Sequence, residues 1–180
     1  MGSVRRAREH DRSSLGARRE AHVPAWQPWA ALAGFALLLH FVWEMVQAPF
    51  YDRMATAAHW GAVVECARAT VGDAAITLVA YGAAALWARD RLWLAETCAS
   101  AVIVILGAGL AIAVALEWLN LRVGRWSYSA GMPLVLGIGL TPLLQWVLLP
   151  PLTLWLAGRH LGLWPLAREP RRGCDVEGGG

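Results

Sequence analysis

Four long apolar runs dominate the chain, at about Trp29–Gln47, Val71–Ala88, Ala99–Leu121 and Pro133–Ala157. A helix needs about 20 apolar residues to cross the roughly 30 Å hydrocarbon core of a bilayer. The third run carries no charge before Glu117, close to its end. A soluble bundle of very apolar helices is the alternative, but such an uncharged run favours the membrane. The pattern therefore predicts an all-α polytopic membrane bundle of about four transmembrane helices.

The fourth run and the first link carry the main irregularities. Pro142, Pro150 and Pro151 fall within the fourth run, and each proline removes a backbone donor and favours a kink. We expect a kinked last helix, with a break near Pro142 as one form of it. The link at 48–70 has a helical second half. That half either lies at the membrane interface or extends the second helix.

The ends of the chain differ in composition from the four runs. Residues 1–27 are polar and rich in arginine, and residues 167–180 contain a proline and three terminal glycines. Both are predicted to be disordered tails beside the membrane. A signal peptide is the rival interpretation of the start, but His40 and Glu44 interrupt its apolar core. We therefore interpret the first run as a retained helix and residues 28–166 as the membrane domain.

Polar residues inside the four runs recur at helical spacing, so each run has one polar face. Lipid would leave these groups without partners, so we expect the four faces to point at one another inside the bundle. In run order, the faces consist of His40, Glu44 and Gln47; Thr70, Asp73, Thr77 and Tyr81; Gly109, Ala113, Glu117 and Asn120; and Gly137, Thr141 and Gln145.

Three carboxylates and a histidine are predicted to meet at one level of this bundle. Chain direction alternates between runs, so Glu44, Asp73 and Glu117 lie towards the same membrane face, with His40 near the middle. At 1.5 Å per residue, the carboxylates lie about 7–10 Å from the midpoints of their runs. Because ionisable residues at membrane depth are expensive, they indicate a functional site. These four residues are our candidate catalytic groups.

Six residues around that level are candidates for substrate binding. Most of the eleven tryptophans lie near the ends of runs, as in an aromatic belt, but Trp43 and Trp146 lie inside runs. Gln145 is a polar group near the middle of the fourth run. The turn after the third run supplies the remaining three candidates, Arg125, Trp126 and Tyr128.

Each ionisable candidate also has a structural interpretation, and these alternatives stay open here. Glu117 is typical of an interface residue, which Arg125 would neutralise. Asp73 is typical of a residue that caps the start of a helix. His40 and Glu44 are four residues apart and are therefore placed to pair with each other for stability alone.

Three kinds of function are compatible with such a group. A buried carboxyl suits acid–base chemistry on a lipid-soluble substrate, with aromatic ring faces stabilising a developing cation. A small proton- or ion-coupled transporter or channel subunit is the competitor, and an assembly partner without chemistry is the third. Because the other halves of the runs offer only Thr77 and Tyr81, an enzyme is favoured over a carrier. The single His40 has no HExxH-type spacing, so we assign no metal ligands and no cofactor.

The third and fourth runs carry a local motif, in which Glu117, the turn Gly124-Arg125-Trp126-Ser127-Tyr128 and Pro133 follow one another. This motif resembles the membrane-embedded carotenoid-modifying proteins, namely the lycopene-cyclase-type domains and the carotenoid hydratase-like proteins. They likewise pair an acidic helix end with a Gly-x-Trp/Tyr-x-Tyr turn and a proline-containing helix. The acidic pair that those cyclases carry after the turn is replaced here by Thr141-Pro142 and Gln145-Trp146. The resemblance implies an isoprenoid substrate, and the whole chain looks like a small bacterial multi-pass membrane protein.

The distribution of basic residues predicts the orientation. All sixteen basic residues are arginines. With four spans, twelve of them share the side of both termini and four lie on the other side, so the positive-inside rule puts the termini in the cytoplasm. We expect an inner (plasma) membrane protein whose partners are the lipid bilayer and an isoprenoid or lipid substrate. No nucleic-acid partner is expected, and an oligomer stays open.

Reporter fusions test this orientation. Fusions after Arg19 and after Arg172 should both report the cytoplasm, and a fusion near Arg125 should report the opposite side. The reason is that translocation holds arginine-rich flanks on the cytoplasmic side. Termini that report different sides would contradict the four-span topology.

Overall fold

The computed structural model describes residues 24–89, 93–96 and 99–163. Four helices within these ranges are long and apolar enough to cross a membrane, which confirms the predicted all-α polytopic bundle. The two predicted tails lie outside the described residues, apart from 24–27. In chain order the helices are α1 (Gln27–Gln47), the short α2 (Asp52–Ala55), α3 (His59–Ala88), α4 (Ala99–Arg122) and α5 (Leu140–His160), with 3₁₀ turns at Ala48–Phe50 and Trp93–Glu96.

The four long helices form a ring in which each packs against two others. Helix α1 packs against α3 and α5, and α4 packs against the same two helices. Chain direction alternates along the sequence, so this is an up-and-down four-helix bundle. Two connections, 48–58 and 123–139, lie at one end of the ring, which we call the site end. The other end is filled by a tightly buried apolar cluster, which we call the apolar plug; it includes Leu32, Tyr81, Ala84, Leu94, Ile105 and Leu154.

The outer surface of the bundle is apolar along the helices. Large hydrophobic side chains such as Leu38, Val79, Ile103 and Val147 are exposed, which in water would create a large aggregation-prone surface. Near one helix end, the guanidinium of Arg122 lies 4.3 Å from the centre of the Trp118 ring, a pairing that suits a membrane interface. These observations describe a multi-pass membrane protein.

Two element boundaries differ from the sequence prediction. Helix α3 begins at His59 rather than near Val71, so the second half of the link extends the second helix. Helix α5 begins at Leu140 rather than near Pro133, because residues 134–139 form a small antiparallel hairpin of β1 (Leu134–Val135) and β2 (Ile138–Gly139).

The turn of that hairpin explains the late start of α5. Leu136 and Gly137 both have positive φ angles, 52° and 81°, as a tight two-residue hairpin turn requires. A helix cannot continue through two such residues. The predicted place of Gly137 on the polar face of the fourth helix was therefore wrong.

The three prolines of α5 have different positions in the helix. Pro142 lies in the first turn, where its missing N–H has no helical partner to lose. The helix therefore starts around Pro142 instead of breaking there. Pro150 and Pro151 lie inside the helix, where a kink is expected.

Backbone hydrogen bonds join the two connections at the site end, and we call residues 48–58 and 123–139 together the loop cover. An isolated antiparallel bridge pairs Tyr51 with Tyr128. Beside it, the Asp52 amide donates to the Ser127 carbonyl over 3.1 Å, and the Ser129 amide donates to the Phe50 carbonyl over 2.9 Å. These bonds satisfy polar backbone groups of both loops, and the loop cover becomes one layer over the ends of the helices.

A close helix contact seats Trp146 below this cover. A Cβ added at Gly109 would lie 2.6 Å from two atoms of the Trp146 ring, whereas a Cβ at Gly107, on another face of α4, would meet nothing within 4 Å. Gly109 is therefore required for α4 and α5 to approach each other with Trp146 between them.

Gly109→Ala should consequently lower the stability of the bundle. We expect a loss of about 1–3 kcal/mol from overpacking, reduced by the better helix propensity of alanine, worth about 1 kcal/mol. Thermal unfolding of the purified protein in detergent measures the change. Gly107→Ala is the matched control and should unfold at the same or a higher temperature. Equal unfolding temperatures for both variants would contradict the close contact between Gly109 and Trp146.

Candidate functional site

A cavity of about 710 Å³ opens at the site end of the bundle. Its walls come from all four long helices and from the loop cover. The polar and aromatic residues that line it are Glu44, Gln47, Tyr51, Arg53, Glu65, Arg68, Asp73, Glu117, Asn120, Arg125, Trp126, Gln145 and Trp146. The cavity thus combines carboxylates, arginines and aromatic rings in a volume typical of small-molecule sites, about 300–1,000 Å³.

The side-chain amide of Gln145 joins three helices in the floor of this cavity. Its Nε2 donates to Oδ2 of Asp73 over 2.8 Å and to Oε1 of Glu44 over 3.3 Å. The same nitrogen lies 2.8 Å from Nδ1 of His40. Two amide hydrogens are therefore shared among three acceptors, and α1, α3 and α5 are tied together at one point.

The hydrogen bonds around His40 define its tautomer. The Thr77 hydroxyl donates to the backbone carbonyl of Asp73 over 2.9 Å, so its oxygen is free to accept from Nε2–H of His40 at 3.3 Å. Nδ1 then accepts from the Gln145 amide, and lies 3.5 Å from the Asp73 carboxylate. The imidazole is fully buried and holds Gln145 in place from behind.

Gln47 extends the network towards the loop cover. Its Nε2 donates to Oε1 of Glu44 over 2.6 Å and to Oε1 of Gln145 over 3.3 Å. Its own Oε1 accepts from the indole N–H of Trp43 over 3.2 Å. Both oxygen and nitrogen of Gln47 are thus satisfied, as a buried amide requires, and Glu44 is fixed towards the cavity.

Glu117 has a separate set of partners on the opposite wall. The Tyr51 hydroxyl donates to Oε1 over 2.6 Å, and the Trp126 indole N–H donates to Oε2 over 2.7 Å. Each carboxylate oxygen therefore has one donor from the loop cover. Tyr51 is also in ring contact with both Trp126 and Tyr128, which fixes the donor geometry.

The two tyrosines of the loop cover stay protonated over the ordinary pH range. Burial raises the pKa of the Tyr51 phenol well above its usual value, and the charge of Glu117 raises it further. Burial also raises the pKa of Tyr128, to about 12, although the Gly139 amide that donates to its oxygen over 2.9 Å opposes the shift. Tyr51 consequently remains a donor to Glu117, and Tyr128 holds β2 in place within the loop cover.

Three arginines, Arg53, Arg68 and Arg125, surround the mouth of the cavity, and all three are exposed. Arg68 pairs with Glu65 on the same helix over 2.7 Å. Arg125 makes a long contact of 3.5 Å with Oδ1 of Asn120. Within the described ranges no ion pair joins Arg125 to Glu117, so the interpretation of Arg125 as the neutralising partner of Glu117 was wrong.

The structure separates the candidate residues into those on the cavity and those behind it. Seven line the cavity: Glu44, Asp73, Glu117, Arg125, Trp126, Gln145 and Trp146. The other three, His40, Trp43 and Tyr128, support it from outside. Asp73 lies well inside α3, so its interpretation as a helix cap was wrong. His40 and Glu44 are linked through the shared amide of Gln145.

Tyr51, Arg53 and Arg68 line the cavity but were not predicted as site residues. Tyr51 and Arg53 belong to a connection whose position is set by its bridge to the second loop, and no periodicity reveals such a contact. Arg68 could have been found, because it lies on the helix that carries Asp73 once α3 is extended to His59. In the described ranges, no group of three or more histidine, cysteine, aspartate or glutamate side chains is placed to hold a metal ion.

No protein-family model, curated protein or solved structure matches this chain. The similarity of the turn after α4 to carotenoid-modifying proteins therefore stays a hypothesis from the sequence.

Proposed function

We propose that this membrane protein carries out acid–base chemistry on an isoprenoid or other lipid substrate, with Glu44 and Asp73 as the reacting carboxyl groups. The observation that carries the proposal is that both carboxylates approach the same amide nitrogen in the floor of a cavity. That floor lies in the part of the bundle that a membrane would surround. A reacting group at that depth is accessible to a substrate that enters the bilayer, which favours a lipid-soluble substrate over a water-soluble one.

The charges of the pair suit proton transfer. Two carboxylates that share one amide donor away from bulk water repel each other unless one of them is protonated. One carboxyl then donates its proton to a substrate carbon while the other accepts a proton from a neighbouring carbon. The substrate double bond moves or a ring closes, and the pair ends with the same number of protons as it began with. No oxidant, reductant or further reactant is needed for this isomerisation-type reaction.

The remaining cavity residues have supporting roles in this proposal. Gln145 positions both carboxylates, and His40 positions Gln145 through its buried imidazole. The ring of Trp146, together with Trp126, presents π electrons to a cation that develops on the substrate. Glu117 has a donor on each oxygen, and these donors fix the orientation of its carboxyl group at the cavity wall.

A proton- or ion-coupled transporter is supported less well by this arrangement. A carrier needs polar groups that continue through the membrane to the other side. On the far side of His40, most buried side chains in the described ranges belong to the apolar plug. The polar groups among them are those of Tyr81, Trp93 and Thr153. A one-sided cavity suits a substrate that enters and leaves by the same face.

We further propose that the protein resides in the plasma membrane of a bacterium, with both termini in the cytoplasm and the cavity facing the opposite side. The support is the arginine distribution along the chain. The isoprenoid class of substrate is supported by the motif from Glu117 to Tyr128 and by the aromatic walls of the cavity. Each of these points can be tested independently of the carboxylate chemistry.

Solvent deuterium incorporation tests the reaction even while the substrate is unidentified. Membranes that contain the wild-type protein are incubated in heavy water with a total isoprenoid and lipid extract. Mass spectrometry should then find a lipid that gains carbon-bound deuterium. Glu44→Gln keeps the shape of the side chain but removes its transferable proton, so incorporation should fall by about 100-fold or more.

Glu20→Gln is the matched control, because it removes the same charge from a residue that precedes the four helices in the sequence. This control should incorporate deuterium like the wild type, at equal protein abundance in the membrane. Incorporation by Glu44→Gln at the wild-type rate would overturn the catalytic role of Glu44. The proposed reaction would be overturned if no lipid gained more deuterium with these membranes than with control membranes that lack the protein.

A further inference from the structure

The cavity also reaches the side of the bundle, between α3 and α4. Its lining residues on α3 include Ala69, Gly72 and Ile76, and those on α4 include Ala113 and Leu116. Three of these five residues are small, and all five are at least partly exposed. The two helices therefore leave an opening, which we call the side opening, where the cavity meets the surroundings of the bundle.

Gly72 has the smallest side chain of this opening. A Cβ added there would meet nothing within 4 Å, so glycine is not needed at this position for helix packing. Glycine inside a helix costs about 1 kcal/mol relative to alanine, and its backbone φ is ordinary here. The missing side chain at Gly72 therefore leaves open space in the wall of the cavity that Asp73 also lines.

The mouth of the cavity has a chemistry different from that of its floor. Arg53, Arg68 and Arg125 line it and are exposed, and only Glu65 opposes them among the exposed lining residues in the described ranges. The exposed lining residues of the mouth therefore carry a net positive charge, with Arg68 paired to Glu65 and with no ion pair found for Arg53 or Arg125 in the described ranges.

The positively charged mouth and the apolar side opening both include residues of α3. Arg68 precedes Gly72 by four residues, which is about 6 Å of helix at 1.5 Å per residue. A phosphate held by the arginines would thus lie one helical turn above the side opening. Guanidinium groups bind phosphate through two parallel N–H···O bonds, which makes arginine the preferred residue for this task.

We propose that the substrate is an amphiphile with a phosphate headgroup and a single apolar chain, whose headgroup binds Arg53, Arg68 and Arg125 while its chain passes through the side opening at Gly72. This inference rests on the proposed function, because it names the substrate class of the same site. The headgroup keeps to the membrane surface, and the chain approaches Glu44 and Asp73 from the bilayer. A free phosphate would contact the arginines but would leave the side opening empty.

Binding to the purified protein in neutral detergent tests this proposal. The probes are dodecyl phosphate, dodecanol and inorganic phosphate, and the readout is native mass spectrometry supported by tryptophan fluorescence, since Trp126 and Trp146 line the cavity. Dodecyl phosphate should bind about tenfold or more tightly than dodecanol, as expected for charge-assisted hydrogen bonds. Inorganic phosphate should bind more weakly than dodecyl phosphate, because it leaves the side opening empty.

Two variants separate the headgroup from the chain. Gly72→Leu fills the side opening and should weaken binding of both dodecyl phosphate and dodecanol by about tenfold. Arg53→Gln combined with Arg125→Gln should weaken dodecyl phosphate by at least as much and leave dodecanol unchanged. Gly107→Leu and Arg159→Gln are the matched controls, since a Cβ at Gly107 also meets nothing within 4 Å and Arg159 lies at the other end of the bundle. Both controls should bind like the wild type.

The outcomes distinguish this inference from the reaction itself. Equal affinity for dodecyl phosphate and dodecanol, or wild-type affinity in the double arginine variant, would show that the arginines contact only bulk lipid and would overturn the headgroup assignment. Wild-type binding by Gly72→Leu would overturn the side opening. If the wild-type protein binds dodecyl phosphate as described but incorporates no deuterium into any lipid, the proposed chemistry is overturned and this inference stands.

Discussion

The shared amide of Gln145 is the interaction on which the site depends. A bilayer supplies no water to hydrogen-bond buried polar groups, so each must find its partner within the protein. Gln145 meets this constraint for Glu44, Asp73 and His40 at once, and Gln47 completes it. The three helices that carry these residues are therefore fixed in rotation and in depth relative to one another.

The interior of the bundle differs on the two sides of the level that Gln145 occupies. Beyond His40 the interior is filled by the apolar plug, which packs mainly through apolar contacts. Towards the site end the helices leave a cavity, and the loop cover forms part of its wall, with donors to Glu117 from Tyr51 and Trp126. Gly109 allows Trp146 to pack between α4 and α5 at the cavity wall. Carboxylates, aromatic rings and arginines are thereby layered from the floor of the cavity to its mouth.

The helical spacing of polar residues was sufficient to predict most of the site from the sequence. His40, Glu44, Asp73 and Gln145 lie inside regular helices, so the need to bury their polar groups was enough to predict that they face one another. Gly137 was misplaced because its positive φ belongs to a hairpin turn, and an apolar run does not show where a helix begins. Tyr51 was missed because a long-range bridge to Tyr128 positions it. Contacts of this kind depend on the assembled tertiary structure.

Substitution of Gln145 by methionine tests most directly whether the shared amide holds the site together. The volume is nearly kept, but Asp73, Glu44, His40 and Gln47 lose their common partner in a buried environment. Thermal unfolding of the purified protein should show a loss of more than about 2 kcal/mol. Gln27→Met, at the start of α1, is the matched control and should leave stability within about 0.5 kcal/mol of the wild type. Equal stability of the Gln145→Met protein and the wild type would contradict the claim that this amide organises the site.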